Sequence, residues 1–236
     1  MTWTERLGLF SHLDYAALAL LLLCWTGIGY WIEHSGPKRP SVSRIMSDFR
    51  REWMRQMVAR DPRIFDAQLI GNLRQGAAFF ASATMIALGG GLALVGNAER
   101  LSGVANDLTL EMAPRIFWEL KLIIMLLFVA NAFLKFVWAH RLFGYCSVLM
   151  AAVPNNASDP LALPRAAQAA EINITATRSF NRGMRTTYFS LAAAAWLLGP
   201  VALMMATLFT FAVLWRREFA SESRAILIKT PPHTGS

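Results

Sequence analysis

The feature that most constrains this chain is the length of its apolar stretches. Crossing a hydrocarbon layer of roughly 30 Å takes about 20 predominantly apolar helical residues. Four stretches meet that requirement, at about 15–31, 76–95, 116–138 and 188–215. The first carries no charge and ends on Tyr30 and Trp31, residue types that favour the membrane interface. It follows Glu5, Arg6 and Asp14, a poor start for a secretory signal, and is expected to be a retained anchor. The second is rich in Ala and Gly. Lipid gives helices no hydrophobic reason to associate, and small residues let backbones approach. Ala77 with Ala81 and Ala87 with Gly91 therefore predict that this helix is the central packing element, its glycine triplet 89–91 packed and not unwound. The third pattern continues past 138 to about Ala152, where Pro154, Asn155 and Asn156 end it. Pro200 is expected to kink the fourth span. The fold class is all-α: a polytopic membrane protein with about four transmembrane helices.

Between the first two spans, Gly36-Pro37-Lys38-Arg39-Pro40 breaks the chain. Beyond it Val42, Ile45, Met46, Phe49, Trp53, Met54 and Met57 recur at helical spacing with arginines between them. This predicts an amphipathic helix over 42–60, lying along the inner membrane interface. Asp61-Pro62 reads as an N-cap followed by proline in the first turn of the next helix. The alanine-rich stretch 157–170, with Pro160 and Pro164, reads as a loop leading into a peripheral helix. Residues 1–220 form one membrane domain, and 221–236 a polar tail, disordered from about Lys229.

The formal net charge is +8, from 23 Lys and Arg against 15 Asp and Glu. In a soluble chain such an excess points to nucleic acid; here it is topological, because basic loops stay on the cytoplasmic side. With four spans, the segments 32–75 and 139–187 share a side and hold fourteen Lys and Arg, against seven in the other exposed segments. That places both long loops in the cytoplasm of a bacterial inner membrane and both termini outside, although Arg216 and Arg217 pull the other way. No nucleic-acid partner is expected.

Cys24 and Cys146 make neither a disulfide framework nor a zinc site. There is no glycine-rich phosphate loop, no pair of metal-binding histidines on one helix and no nucleophile elbow. No catalytic residue, metal or cofactor is assigned. Two polar sets remain. Lys121, Asn131 and Lys135 lie on the third span, the lysines two heptads apart and about 21 Å along the axis. Each lysine is near one end and is expected to snorkel to headgroups, the other reading being a substrate or ion path. Arg63, Arg74, His140, Arg141, Arg178, Arg182 and Arg185 sit close to span ends on the basic side. They suit anionic lipid headgroups, or a phosphate or carboxylate ligand, with Asp66, Asn72, Gln75 and Asn181 as partners.

The expected role is therefore non-enzymatic: a scaffold, accessory subunit or lipid-contacting protein in the bilayer, in a homo-oligomer or larger membrane complex. The alternative is a small oligomeric transporter or channel for an anionic solute or ion.

Several short stretches add a resemblance. Arg63-Ile64-Phe65-Asp66-Ala67-Gln68-Leu69 and Phe79-Phe80-Ala81-Ser82 open it. Trp118-Glu119-Leu120-Lys121-Leu122, Lys135-Phe136-Val137-Trp138 and Tyr145-Cys146-Ser147 continue it, and Phe180-Asn181-Arg182-Gly183-Met184-Arg185 closes it. Over about 15–220 the chain resembles the uncharacterised membrane-protein family called domain of unknown function 599. The resemblance implies a multi-span membrane protein and no established reaction.

Overall fold

A computed structural model describes residues 8–97 and 114–229, and every regular element among them is helical. In chain order these are α1 (His12–Glu33), α2 (Val42–Met57), α3 (Ile64–Gly96), α4 (Arg115–Ala151), α5 (Ala162–Ala194), a 3₁₀ turn (Ala195–Leu198), α6 (Pro200–Phe219) and α7 (Glu222–Ile228). Four stretches are long and apolar enough to cross a membrane: α1, α3, α4 and Pro200–Ile228. Most of the polar loop between α3 and α4, and the tail from residue 230, lie outside the described residues.

The caps follow from local sequence. Ser11 and Asp14 form a reciprocal capping box at the start of α1, and Ser41 and Ser221 cap α2 and α7. Asp61-Pro62 does not open α3 as expected. The helix begins at Ile64, because Arg63 fixes the corner instead. Its guanidinium donates to the carbonyl oxygens of Val153 and Pro154, each at 2.7 Å, and so ties α3 to the end of α4.

The central pair is α4 with α5, and here two expectations fail. The stretch 157–170 is a loop only as far as Leu161. From Ala162 the chain is one 33-residue helix, with Pro164 in the first turn, where its missing N–H leaves nothing unpaired. Ala162, Ala166, Ala169, Ala170 and Ala176 are buried in the core that α5 shares with α4 and α2. The alanines thus do the close packing assigned to the second span. By contrast α3 meets the other described helices on one side only. It buries a single stripe of Ile70, Ala77, Thr84 and Gly91, spaced by seven, along with Asp66 near its start. Ala87 is exposed and Ala81 half-buried. The helix runs unbroken through 89–91, and a Cβ on Gly91 would lie 2.2 Å from Leu126 Cδ2, so glycine there lets the Leu126 side chain lie against the α3 backbone.

Pro200 does not kink one long span. After α5 and the 3₁₀ turn, Gly199 adopts φ +114°, a conformation natural to glycine, and Pro200 is the first residue of α6. The chain reverses there: Arg217 Nη1 donates to Tyr188 Oη at 2.8 Å, linking residues 29 apart across a hairpin. Accordingly α6 runs beside α1 in the same direction. The ring centroids of Phe10 and Trp196 are 5.6 Å apart at one end, and those of Trp31 and Phe219 are 5.6 Å apart at the other.

The bundle therefore has two distinct ends. One gathers the end of α1, all of α2 and the end of α6, where Ser43 donates to Glu218 through its backbone N–H (3.0 Å) and its hydroxyl (2.9 Å). It is called the basic end below. The far end gathers the starts of α1 and α4 and the turn after α5. Helix α5 runs from one end to the other although it is not among the four apolar stretches, and its Thr186, Ser190, Ala192 and Ala193 are buried. The amphipathic helix α2 is present, but Met54 and Met57 are buried within the protein, in the core that includes α4 and α5, while Phe49 stays half exposed.

Candidate anion-binding site

The site is built where α1 ends. Glu33 closes that helix, and α5 brings Arg178, Arg182 and Arg185 past it at spacings of four and three, which keeps them on neighbouring faces. Arg182 holds Glu33 through two nitrogens, Nε donating to Oε1 at 2.8 Å and Nη2 to Oε2. Arg185 Nη2 donates to the same Oε1 at 2.6 Å. The Arg185 side chain is only 8 % exposed, whereas Arg182 is half exposed. From α4, Lys135 Nζ donates to Asn131 Oδ1 and lies 5.4 Å from the centroid of the Trp25 ring. Two arginines thus hold one carboxylate, and Lys135 lines the same groove.

Two cavities of about 310 Å³ each share the Glu33–Arg185 pair as a wall. One is roofed by α2. The other is an open groove bounded by α1, α4 and α5, with Trp25, Gly29 and Tyr30 on the α1 side and Lys135, Arg182 and Thr186 opposite. Trp25 Nε1 donates to Thr186 Oγ1 at 3.1 Å and fixes the groove's apolar wall. The roof is tied to α5 by Arg50, which donates to Asn173 Oδ1, and by Arg51, which donates to Glu171 at 2.7 Å. The Glu171 carboxylate holds Arg51 above the ordinary guanidinium pKa.

The family described as "Protein of unknown function, DUF599" matches residues 16–223, nearly all of the chain and all of this site. The chain belongs to the DUF599 family. No curated protein and no solved structure matches it.

This DUF599 protein does not gather all seven predicted basic residues. Arg178, Arg182 and Arg185 share the site. Arg63 is spent on carbonyl groups at the α3–α4 corner. Arg74, His140 and Arg141 lie apart: His140 Nδ1 is 3.3 Å from the carbonyl oxygen of Arg74, and Arg141 Nε donates to Tyr145 Oη at 2.7 Å. The expected partners also separate. Asp66 is fully buried and accepts from Trp53 Nε1 (2.6 Å) and from Arg60, while Asn72 accepts from Gln68 at 3.1 Å. Gln75 is exposed on α3, away from the α5 arginines. Only Asn181 lines a cavity of the site.

Lys121 and Lys135 of this DUF599 protein lie at opposite ends of the bundle. Lys121 does not snorkel. It is 2 % exposed, donates to the carbonyl oxygen of Trp196 at 3.0 Å, and lies 4.1, 5.1 and 5.5 Å from the ring centroids of Phe117, Trp118 and Trp196. Trp196 Nε1 in turn donates to Asp14 Oδ1 at 2.7 Å, closing the far end. Among the described residues no group of three or more His, Cys, Asp or Glu side chains is placed to hold a metal. Sequence reasoning missed Glu33, the residue that organises the site. Its signal was present: an acidic residue directly after a charge-free span, at the edge facing the basic loop.

Proposed function

We propose that this chain is a multi-pass protein of a bacterial inner membrane that works without catalysis, as a scaffold or accessory subunit that holds anionic lipid at its basic end. The observation that carries this reading is a groove lined by Lys135, Arg182 and Arg185 with the one carboxylate of Glu33, which the two arginines hold. At the edge of a hydrocarbon layer, uncompensated positive charge is costly and calls for a counter-ion. A lipid phosphate in the open groove supplies one, with Trp25 and Tyr30 suited to the headgroup level.

The hairpin at Gly199-Pro200 supports a changed orientation. It returns the tail to the basic end, so segments 32–75, 139–187 and 216–229 hold eighteen Lys and Arg, against three before α1 and between α3 and the first residue of α4. Arg216 and Arg217 then agree with the loops. We place the basic end and the C-terminal tail in the cytoplasm and the N-terminus outside.

Transport has less support. Lys121 is closed in by rings, and between the two lysines α4 buries Leu122, Leu126, Phe128 and Ala132. The test is native mass spectrometry of the chain released from bilayer discs of mixed phosphatidylglycerol and phosphatidylcholine. Selective retention of phosphatidylglycerol, lost in Lys135→Gln and Arg182→Gln, is expected. Equal retention of both lipids refutes the reading.

A further inference from the structure

The cavity roofed by α2 is a different place from the lipid groove, and its chemistry is different. Its walls are two helix faces. From α5 come Ile174, Thr177, Arg178, Asn181 and Arg185, a stripe at helical spacing; from α2 come Ser43, Arg44, Ser47, Asp48 and Arg51. Apart from Ile32 and Ile174 the lining is polar or charged, so this is no seat for an acyl chain. Four arginines and two carboxylates, Glu33 and Asp48, face the same space.

Most of these groups are engaged. Arg44 donates to the carbonyl oxygen of Ser35, and Arg51 to Glu171 and to Asp48 (2.9 Å). Arg185 is held by Glu33, and Ser43 by Glu218. Arg178, which is exposed at the cavity mouth, and the half-buried Asn181, one turn apart on α5, have no side-chain partner among the described residues. The volume, about 310 Å³, is at the lower bound for small-molecule sites. A guanidinium fork beside an amide, with an arginine 8 % exposed behind it, matches the oxygens of a phosphate group bidentately.

We infer that this α2-roofed cavity is a second site, which binds a small phosphate-bearing solute from the aqueous phase at the basic end, with Arg178 and Asn181 as its principal contacts. The inference does not depend on the lipid groove. The test uses the full chain in discs of phosphatidylcholine only, titrated with pyrophosphate and followed by calorimetry. Saturable binding is expected, weakened at least about tenfold in Arg178→Gln, as loss of a charge-assisted hydrogen bond requires. Arg178→Lys, which keeps the charge, weakens it less, and Lys38→Gln, which removes an exposed charge outside the cavity, leaves it unchanged. Size-exclusion profiles matching wild type establish that the variants fold, and Arg178→Lys carries the comparison should Arg178→Gln misfold. Absence of saturable binding at millimolar pyrophosphate overturns the inference, as does equal binding by wild type and both Arg178 variants. So does Arg178-dependent retention of phosphatidylglycerol without pyrophosphate binding, which makes the cavity a headgroup site instead.

Discussion

Gly183 offers a sharp test of how α4 and α5 pack. A Cβ added there would lie 2.7, 2.9 and 3.0 Å from Cε1, Cδ1 and Cζ of Phe136. Carbon atoms in favourable contact sit about 3.5–4.0 Å apart, so the new methyl overlaps three ring atoms by about half an ångström or more. The ring has nowhere to go. Phe136 is fully buried, stacked on Phe80 at 5.3 Å and edge-on to Phe180 at 5.5 Å. Overpacking of this kind costs about 1–3 kcal/mol, partly offset by the gain of up to about 1 kcal/mol when alanine replaces glycine within a helix. Gly91 makes the contrast. Its added Cβ would come closer, 2.2 Å, but to Leu126 Cδ2, the tip of a flexible side chain that can change rotamer. Gly144 has nothing within 4 Å of an added Cβ, so Gly144→Ala is expected to stabilise slightly. The expected order of stability is therefore Gly144→Ala, wild type, Gly91→Ala, Gly183→Ala, read from reversible unfolding by dodecyl sulfate in mixed micelles. Phe136→Leu added to Gly183→Ala recovers part of the loss. Gly183→Ala as stable as wild type, or less damaging than Gly91→Ala, refutes the reasoning.

Other consequences can be measured in the same preparations. Glu33→Gln leaves the nearly buried Arg185 without its carboxylate and is expected to cost about 1.5–3 kcal/mol, the range for hydrogen bonds to charged groups. Discs of phosphatidylglycerol should restore part of that stability where phosphatidylcholine discs do not; an identical deficit in both lipids counts against the groove. Asp14→Ala removes both the capping box of α1 and the acceptor for Trp196, for an expected loss of about 1–3 kcal/mol. A Tm within error of wild type contradicts the far-end closure. A fluorescent protein fused after the tail should fold and glow in the cytoplasm, and alkaline phosphatase fused there should be inactive; the reverse pattern places the tail outside.

The apolar spans were legible because hydropathy is a local property: the charge-free run of α1 and the stop at Pro154 needed no knowledge of neighbours. What escaped depends on partners. Ala162, Ala166 and Ala169 carry no strong periodic signal, since alanine is as compatible with a surface as with a close helix contact, and only α4 opposite makes them core. Pro200 reads as a kink or as a first residue with equal ease, and Gly199 just before it decides for the latter by taking a positive φ. Lys121 looked like an interfacial lysine because Trp196, 75 residues on, is invisible to a local reading. The basic set was half legible for the same reason. Charge near span ends could be counted, but Arg63 finds carbonyl partners 90 and 91 residues away and leaves the site, while Glu33 enters it from 149 and 152 residues away.

The reversal after α5 also bears on how such a chain gets into a bilayer. In a chain inserted as proposed, α5 is too polar to partition alone, carrying Arg182 and Arg185 and several hydroxyls that lipid cannot satisfy. Its companions are made both before and after it: Glu33, Trp25 and α4 precede it, and α6 follows. In that arrangement α5 is expected to enter together with α6 as a hairpin, against helices already seated. On that proposal, truncation just after Leu198 is expected to leave α5 outside the membrane.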